Sequence, residues 1–136
     1  GKLTMSLLTN IQAAATVTQI QSAGNANSNG SVLDLQPYKG PVTFVLAVGQ
    51  ITSGLGAAHL NVANIEDSAD NSSFAVITGG NFAAVVNAAN ASNVGSQVKS
   101  FNVRGLRRYV RCRTEVSGTN MNIPLTVNVI GQLERV

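Results

Sequence analysis

The sequence from Leu106 to Val116 alternates between two kinds of side chain with a period of two residues. From residue 109 onward, valine, cysteine and threonine occupy one set of positions, and tyrosine, arginine and one glutamate occupy the other. Because successive side chains of a β-strand point to opposite faces of the sheet, the pattern predicts a strand with an apolar inner face and a cationic outer face. The inner residues are Val110, Cys112, Thr114 and Val116, and the outer residues are Arg107, Tyr109, Arg111 and Arg113.

The other apolar segments are also short. The run from Val42 to Val48 is almost continuously apolar, which is typical of a strand in the middle of a sheet. Leu125, Val127 and Val129 alternate with polar residues and predict a last strand. Gly, Asn and Ser fill the connections, and no long segment has helical periodicity. The 136 residues therefore predict an all-β fold, a single antiparallel β-sandwich of about seven to eight strands with a jelly-roll-like arrangement.

The first 31 residues have a different pattern from the rest. Leu7, Leu8 and Ile11 favour a short helix or an extended arm, and a strand follows. We therefore divide the chain into an N-terminal arm with the first strand region, residues 1–31, and a sandwich core, residues 32–136. Such an arm can cover the exposed sheet edge of a neighbouring subunit, so these three apolar residues are candidate interface residues.

Two further segments are predicted to be irregular. Residues 66–73 place three acids among Ser and Asn, and we interpret them as an Asx-type turn. Their spacing lacks the glycine and the terminal glutamate of an EF-hand calcium loop. Residues 81–94 combine many Ala and Asn with paired valines, which favours irregular structure or a short strand, and the glycine pair before them is expected to interrupt a strand.

Positive charge is concentrated in the last quarter of the chain. Residues 1–103 hold three lysines and four acids, a net charge of −1, whereas residues 104–136 hold six arginines and two glutamates, a net charge of +4. The segment 104–113 alone contains five of the six arginines. Localised positive charge indicates an acidic partner surface or nucleic acid. The alternative is a solvated strand face whose arginines pair with Glu115, Glu134 or neighbouring acids.

Little in the sequence indicates catalysis. The sole histidine, His59, lies at the start of a predicted strand, and no nucleophile with a neighbouring base is apparent. The sole cysteine, Cys112, cannot form an intrachain disulfide, and its apolar position predicts a small buried side chain. We therefore expect no enzyme activity, no cofactor and no metal. No apolar run approaches the roughly 20 residues of a membrane-spanning helix, so we expect no membrane partner.

Two kinds of partner could use the arginine-rich segment. A nucleic-acid site needs accessible arginines interleaved with aromatic rings, and Tyr109 supplies one such ring. A protein interface explains the same residues, because arginine and tyrosine are favoured at the energetic centres of interfaces. Since other charge is sparse, we favour the protein interface over nucleic acid. The candidate interface residues are Arg104, Arg107, Arg108, Tyr109, Arg111 and Arg113, together with Leu7, Leu8 and Ile11.

Three stretches of the sequence resemble motifs of small virion structural proteins of tailed bacteriophages. In the first, Val32 to Val42, an apolar-Asp-Leu pair precedes a Tyr-x-Gly turn and a buried strand. The second is the Ser-x-Asp turn of Asp67 to Asp70 before an aromatic residue, Phe74. The third is the Arg-Tyr-x-Arg strand from Arg108 to Arg111, followed by a glycine turn. In this order and spacing, the resemblance covers roughly residues 32–133.

This resemblance implies a β-sandwich that attaches to the outside of a phage head as a decoration, or cement, protein. It implies the major capsid protein as a partner, self-association as a trimer or dimer, and a location at the capsid surface of the virion. The chain departs from the family in its strongly cationic Arg111 and Arg113 and in its longer segment before Val32. A lattice-forming capsid protein, another head or tail component, and a nucleic-acid-binding β module that uses the segment 104–113 are the alternatives.

Overall fold

The computed structural model describes residues 11–16, 20–22, 26–49, 59–86, 95–117, 121–123 and 125–133, and these form twelve strands and one 3-10 turn. The turn, Val103–Gly105, lies between the ninth and tenth strands. Five strands have only two to four residues, which leaves seven longer ones within the described residues. The strands are β1 (Ile11–Thr16), β2 (Ile20–Ser22), β3 (Ala26–Asn29), β4 (Leu33–Asp34), β5 (Tyr38–Val48), β6 (His59–Ser68), β7 (Ala75–Asn81), β8 (Val85–Val86), β9 (Gly95–Asn102), β10 (Tyr109–Ser117), β11 (Met121–Ile123) and β12 (Leu125–Leu133).

The strands form two main antiparallel sheets. The first sheet has the order β1-β12-β5-β9, and the second follows the path β3-β10-β6-β7. In addition, β4 pairs with β10, β8 pairs with β6, and β2 pairs with β11 in a separate ribbon. Of the eight strands on the two main paths, the first sheet takes the first, eighth, third and sixth along the chain, and the second takes the second, seventh, fourth and fifth. This double Greek-key order is that of a jelly roll, so the predicted antiparallel β-sandwich is confirmed.

The core lies between the two sheets and follows the period of the strands. In β5 the even-numbered side chains from Val42 to Val48 are buried, whereas the odd-numbered ones are half-buried on the outer face. In β12 Leu125, Val127 and Val129 are buried, as the alternation predicts. Burial of one large apolar side chain such as Phe44 contributes roughly 1.5–3 kcal/mol. The fold is therefore held by apolar packing, without a disulfide.

The alternation in the arginine-rich segment is confirmed for its inner face, but the strand begins later than predicted. The four inner residues are all buried: Val110, Cys112, Thr114 and Val116. β10 starts at Tyr109, three residues after the predicted start. The residues before it follow the 3-10 turn, in which the side chain of Asn102 accepts a hydrogen bond from the backbone N–H of Arg104 at 3.0 Å. Arg107 therefore lies in a loop and not on the outer face of the strand.

Two acids that were predicted to lie in a turn belong to a strand instead. β6 includes Glu66 and Asp67, and both are buried. The turn after β6 forms as predicted, because Oδ1 of Asp70 accepts the backbone N–H groups of Ser72 at 2.9 Å and Ser73 at 2.8 Å. The acidic segment is thus divided between a strand and an Asx-type turn.

The glycine pair at residues 79 and 80 does not interrupt a strand as predicted. β7 runs through both glycines, and a Cβ atom on Gly80 would lie 2.6 Å from Cγ1 of Ile77. Glycine is therefore needed at position 80 for close packing within the strand. The segment 81–94 contains β8, which agrees with the expected short strand.

Residues 11–29 contribute strands to the sandwich. β1 pairs with β12 along its whole length, and β3 pairs with β10. Ile11 therefore begins an edge strand of the first sheet and is not part of a helix. Leu7 and Leu8, the other predicted arm residues, lie outside the described residues.

Candidate partner-binding surfaces

The arginine-rich segment is largely neutralised within the chain. Four of its five arginines form ion pairs with carboxylates, and three of those carboxylates lie on β4 or β6. Strand pairing, and not proximity in the sequence, therefore brings most of these charges together. The pairs are Arg107–Asp67 at 2.7 Å, Arg108–Asp34 at 2.9 Å, Arg111–Glu66 at 2.8 Å, and Arg113–Glu115.

The pair of Arg111 and Glu66 lies on the outer face of the second sheet. β10 and β6 place the two residues directly opposite each other, and Nε of Arg111 donates to Oε2 of Glu66 at 2.8 Å. The ring of Phe74 lies 4.0 Å from Cζ of Arg111 in a cation–π contact. Only 22% of the Arg111 side chain and 9% of the Glu66 side chain are exposed. Such a buried pair leaves little charge for a partner to bind.

Arg107 anchors the loop before β10 to the end of β6. Its backbone N–H donates to Oδ2 of Asp67 at 2.9 Å, and its Nε donates to Oδ1 at 2.7 Å. Its Nη2 also donates to the backbone carbonyl of Asp67 at 2.9 Å. Because the Asp67 side chain is only 10% exposed, the loop is held against the body of the sandwich. Arg107 therefore connects the loop before β10 to the end of β6.

Arg108 and Asp34 form an exposed bidentate pair. Nε and Nη2 of Arg108 donate to the two carboxylate oxygens at 3.0 and 2.9 Å. The guanidinium, with help from the backbone N–H of Gln36, holds the pKa of Asp34 below its usual range. Arg108 also lies over the ring of Tyr109, with Cζ 5.0 Å from the ring centroid. A partner that used Arg108 or Tyr109 would have to compete with these contacts.

Arg104 differs from the other four arginines because its side chain has no acidic partner in the described part of the chain. Lys39, near the start of β5, likewise forms no ion pair there. Both residues line one open cleft of about 450 Å³, at the end of the first sheet where β5 begins and β12 ends. We call it the cationic cleft, and its other lining residues are Tyr38, Gly40, Asn102, Val103 and Gln132.

A second cavity, of about 340 Å³, adjoins the cationic cleft through the shared residues Tyr38 and Val103. Leu35 and Leu106 give it apolar walls, and the rest of its lining is Gln36, Arg107 and Arg108. The ring of Tyr38 packs against Gly131, where a Cβ atom would lie 2.6 Å from Cδ1 of the ring. Free cations and a partly apolar cavity therefore lie side by side at this end of the sandwich.

In the central part of the outer face of the first sheet, none of the described residues is charged. Pairing places Val45 of β5 between Val98 of β9 and Asn128 of β12. Val98 is 60% exposed and Ile130 is 41% exposed. We call this surface the uncharged face, and it comprises Thr43, Val45, Ala47, Ser96, Val98, Ser100, Thr126, Asn128 and Ile130.

The described residues offer no metal site. Among them, no group of three or more His, Cys, Asp or Glu side chains could hold a metal ion. Cys112 is buried as predicted, and burial raises the pKa of its thiol to about 12, so the thiol stays protonated at neutral pH. His59 begins β6, also as predicted. Over the same ranges, the structure contains no helix with the length and apolar character needed to cross a membrane.

The sequence identified Arg104 as an interface candidate but missed Lys39 beside it. The two residues are far apart in the chain and meet only because β5 pairs with β9, which leads into the 3-10 turn. No local pattern connects them. The uncharged face was not predicted either. The sequence does show part of it, because the positions that alternate with Leu125, Val127 and Val129 hold no charged residue.

Comparison of the sequence with protein-family models and with curated protein sequences finds no match. Several solved structures have a similar fold. The structure of the infectious bursal disease virus Gt strain has a TM-score of 0.60 and 7% identity, over 90% of this chain and 33% of that one. The VP2 subviral particle of infectious bursal disease virus has a TM-score of 0.56 and 6% identity, over 90% and 32%. The chain thus spans about a third of these viral chains.

A prophage protein has a similar fold over nearly its whole length. The SPBc2 prophage-derived protein YomS has a TM-score of 0.51 and 12% identity, over 89% of this chain and 91% of that one. At such low identity, the similarity concerns the fold alone. The chain therefore has a β-sandwich fold that also occurs in proteins of viral and prophage origin.

Proposed function

We propose that this protein is a non-enzymatic structural component of a virus particle, and specifically a decoration or cement protein on the head of a tailed phage. The jelly-roll order of its strands supports this proposal, because proteins of similar fold include the VP2 subviral particle and a prophage-derived protein. The phage-like motifs of the sequence point in the same direction. The buried, protonated Cys112 and the internally paired arginines suit a scaffold better than a reactive site.

In this role the protein binds the major capsid protein at the outer surface of the head. Each single contact can be weak, because many copies bind to one shell. Repeated weak contacts then give a large total affinity through multivalency. A layer of such copies stabilises the shell against internal pressure without any single tight bond.

Copies of the chain associate with one another, as a dimer or trimer, through the uncharged face. Its lack of charge lets two copies meet without burying an unpaired ion. Three strands about 4.8 Å apart, with about six residues each, give a flat area of about 300 Å², below the roughly 800 Å² per partner of a standard interface. This area suits a weak contact that neighbouring copies on a particle reinforce.

The function is tested on particles purified from cells in which the protein is produced together with the phage. Mass spectrometry should find the protein in a fixed ratio to the major capsid protein. Deletion of its gene should leave head assembly intact but lower the temperature at which the heads release DNA. The proposal fails if the particles lack the protein, or if deletion changes neither assembly nor stability.

Self-association is tested with one substitution on each outer face. Val98→Lys places a charge on the uncharged face, and sedimentation should show fewer oligomers than the unmodified protein forms. Val76→Lys is the matched control, because Val76 is an exposed valine, 45% accessible, in a strand of the second sheet. Equal effects of the two substitutions would contradict a contact through the uncharged face.

A second candidate function is a lattice-forming capsid protein. The similarity to the VP2 subviral particle favours it, although this chain spans only 32% of that protein. Electron microscopy of the purified protein alone separates the two functions. Closed particles would indicate a shell protein, whereas monomers or small oligomers would agree with a decoration protein.

A further inference from the structure

We propose that the cationic cleft binds an acidic segment of a partner protein, whose carboxylates pair with Lys39 and Arg104. The proposal rests on the proposed function, since it names the surface through which the protein contacts its partner on the particle. It moves that contact away from the outer face of β10, where the sequence pattern alone would put it. The cleft lies at one end of the sandwich, between the start of β5 and the 3-10 turn.

Most cationic side chains of the described residues already have partners within the chain. Seven lysines and arginines lie in the described residues, and four of these arginines are held by carboxylates. Lys99 lies over the ring of Phe82, with Nζ 5.8 Å from the ring centroid. Only Lys39 and Arg104 remain without a side-chain partner among the described residues. Both line the same cleft, so the free positive charge of this part of the chain is gathered at one place.

The other residues that line the cleft also suit a carboxylate ligand. No acid among the described residues lines the cleft, so the two cations have no counter-charge from that part of the chain within it. Asn102 and Gln132 add side-chain amides, which donate hydrogen bonds to carboxylate oxygens. The planar guanidinium of Arg104 can bind a carboxylate with two parallel hydrogen bonds. The chemistry of the cleft is therefore that of a carboxylate receptor.

The adjoining cavity defines the ligand further. Leu35, Leu106 and Val103 line a hollow of about 340 Å³ next to the cations. A segment with one apolar side chain beside its carboxylates would fill both parts of this surface. Apolar contact beside charge is typical of protein interfaces, in which an apolar centre is surrounded by a polar rim.

The same surface fits nucleic acid poorly. Binding of single strands needs a continuous positive track and exposed aromatic rings on which bases stack. Tyr38 is the only aromatic residue lining the cleft, and it is 7% exposed. Arg107 and Arg108, which would extend the track, are already paired with Asp67 and Asp34. A phosphate backbone would therefore meet two free cations and no stacking platform.

The experiment measures the binding of fluorescein-labelled hexaglutamate to the purified full chain by fluorescence polarisation at low salt. Hexaglutamine and a single-stranded hexathymidylate serve as the uncharged and phosphate probes. The variant is Lys39→Gln with Arg104→Gln. The matched control is Lys99→Gln with Arg113→Gln, which removes the same amount of charge from residues that already have partners and line neither the cleft nor the adjoining cavity. Circular dichroism establishes that each variant is folded.

We expect the unmodified protein and the control to bind hexaglutamate with similar affinity and in preference to both other probes. Loss of the two cleft cations should weaken binding about tenfold, since two exposed ion pairs are together worth about that factor. The proposal is overturned if both double variants lose affinity equally, if hexaglutamine binds as tightly as hexaglutamate, or if hexathymidylate binds more tightly than hexaglutamate.

The particle experiments separate this inference from the proposed function. If the protein decorates particles but does not bind hexaglutamate, the cleft proposal alone fails. If the protein binds hexaglutamate through the cleft but is absent from particles, the proposed function alone fails. When both hold, the Lys39→Gln and Arg104→Gln double variant should also be depleted from particles relative to the control.

Discussion

The outer faces of the two sheets differ in the charge of their side chains. On the second sheet, Arg111 and Arg113 pair with acids of the same sheet, and the partner of Arg111, Glu66, is buried. The uncharged face of the first sheet consists of Thr, Ser, Asn, Ala, Val and Ile, with Val98 largely exposed. The charge on the outer face of the second sheet is therefore paired within the protein, whereas the uncharged face carries no charge on its described residues.

In this protein, most of the charge in the arginine-rich segment is already paired within the chain. The arginines of β10 give the chain its most conspicuous sequence pattern, yet their carboxylate partners already lie in the same sheet. Arg104 lies outside that sheet and keeps its charge available. The two surfaces that we propose for partners, the uncharged face and the cationic cleft, are those that the sequence pattern indicates least.

The largest expected effect comes from breaking the buried pair on the second sheet. Arg111→Met should lower the free energy of unfolding by about 3 kcal/mol, because it leaves Glu66 buried without its partner. Urea denaturation measures the change. Adding Glu66→Leu should recover most of the loss, since an apolar pair needs no counter-charge. A single variant as stable as the unmodified protein would show that the pair behaves as an exposed one.

A smaller loss is expected from overpacking the inner side of the first sheet. Gly131→Ala should cost about 2 kcal/mol, because the new Cβ would lie 2.6 Å from the ring of Tyr38. Thermal and urea unfolding measure the loss. The double variant with Tyr38→Leu should recover part of it by removing the ring. If the double variant recovers no stability, the loss does not come from the contact between the new Cβ atom and the ring of Tyr38.

Acid should weaken the second sheet through the turn that follows β6. Hydrogen bonds from Ser73, Ser68 and Ser72 lower the pKa of Asp70 to about 2. Because the folded pKa is depressed, the stabilisation is fully present above the usual carboxyl pKa near 4 and is lost as the pH falls towards 2. The stability advantage over Asp70→Asn should therefore be largest above pH 4 and shrink towards pH 2, as followed by urea midpoints. If the difference in stability between the two proteins does not change with pH, the charge of Asp70 does not stabilise the turn.

The smallest effect is expected on the uncharged face. Val98→Thr should change the free energy of unfolding by less than about 0.5 kcal/mol, because the side chain is already 60% exposed. The same urea titrations measure it. A loss above about 1 kcal/mol would mean that the face contributes to the fold and not only to contacts between molecules.

The sequence predicts the inner faces of the strands well. Val110, Cys112, Thr114 and Val116 are buried because burial imposes a period of two, and that period can be read without any partner strand. The start of β10 was predicted too early, because the capping of the 3-10 turn by Asn102 depends on local geometry that alternation does not encode.

The partners of the arginines could not be predicted in the same way. Asp34 and Asp67 reach Arg108 and Arg107 only after β4 and β6 have paired with β10. The count of charges allowed either a free cationic face or a face whose arginines pair within the chain. Only the pairing of the strands distinguishes these two arrangements. Lys39 in the cationic cleft escaped notice for the same reason, since it has no local pattern of its own.

The pairing of β1 with β12 also determines how the fold would respond to force. The first and last strands are antiparallel neighbours, and Ile11 faces Gln132 at one end of the ladder. A pull that separates Ile11 from Leu133 would open this ladder one pair at a time, like a zipper. A pull along the strands, between Ile11 and Leu125, would instead load the six pairs of this ladder at once. The ladder between β1 and β12 is therefore weaker against peeling than against a force along the strands.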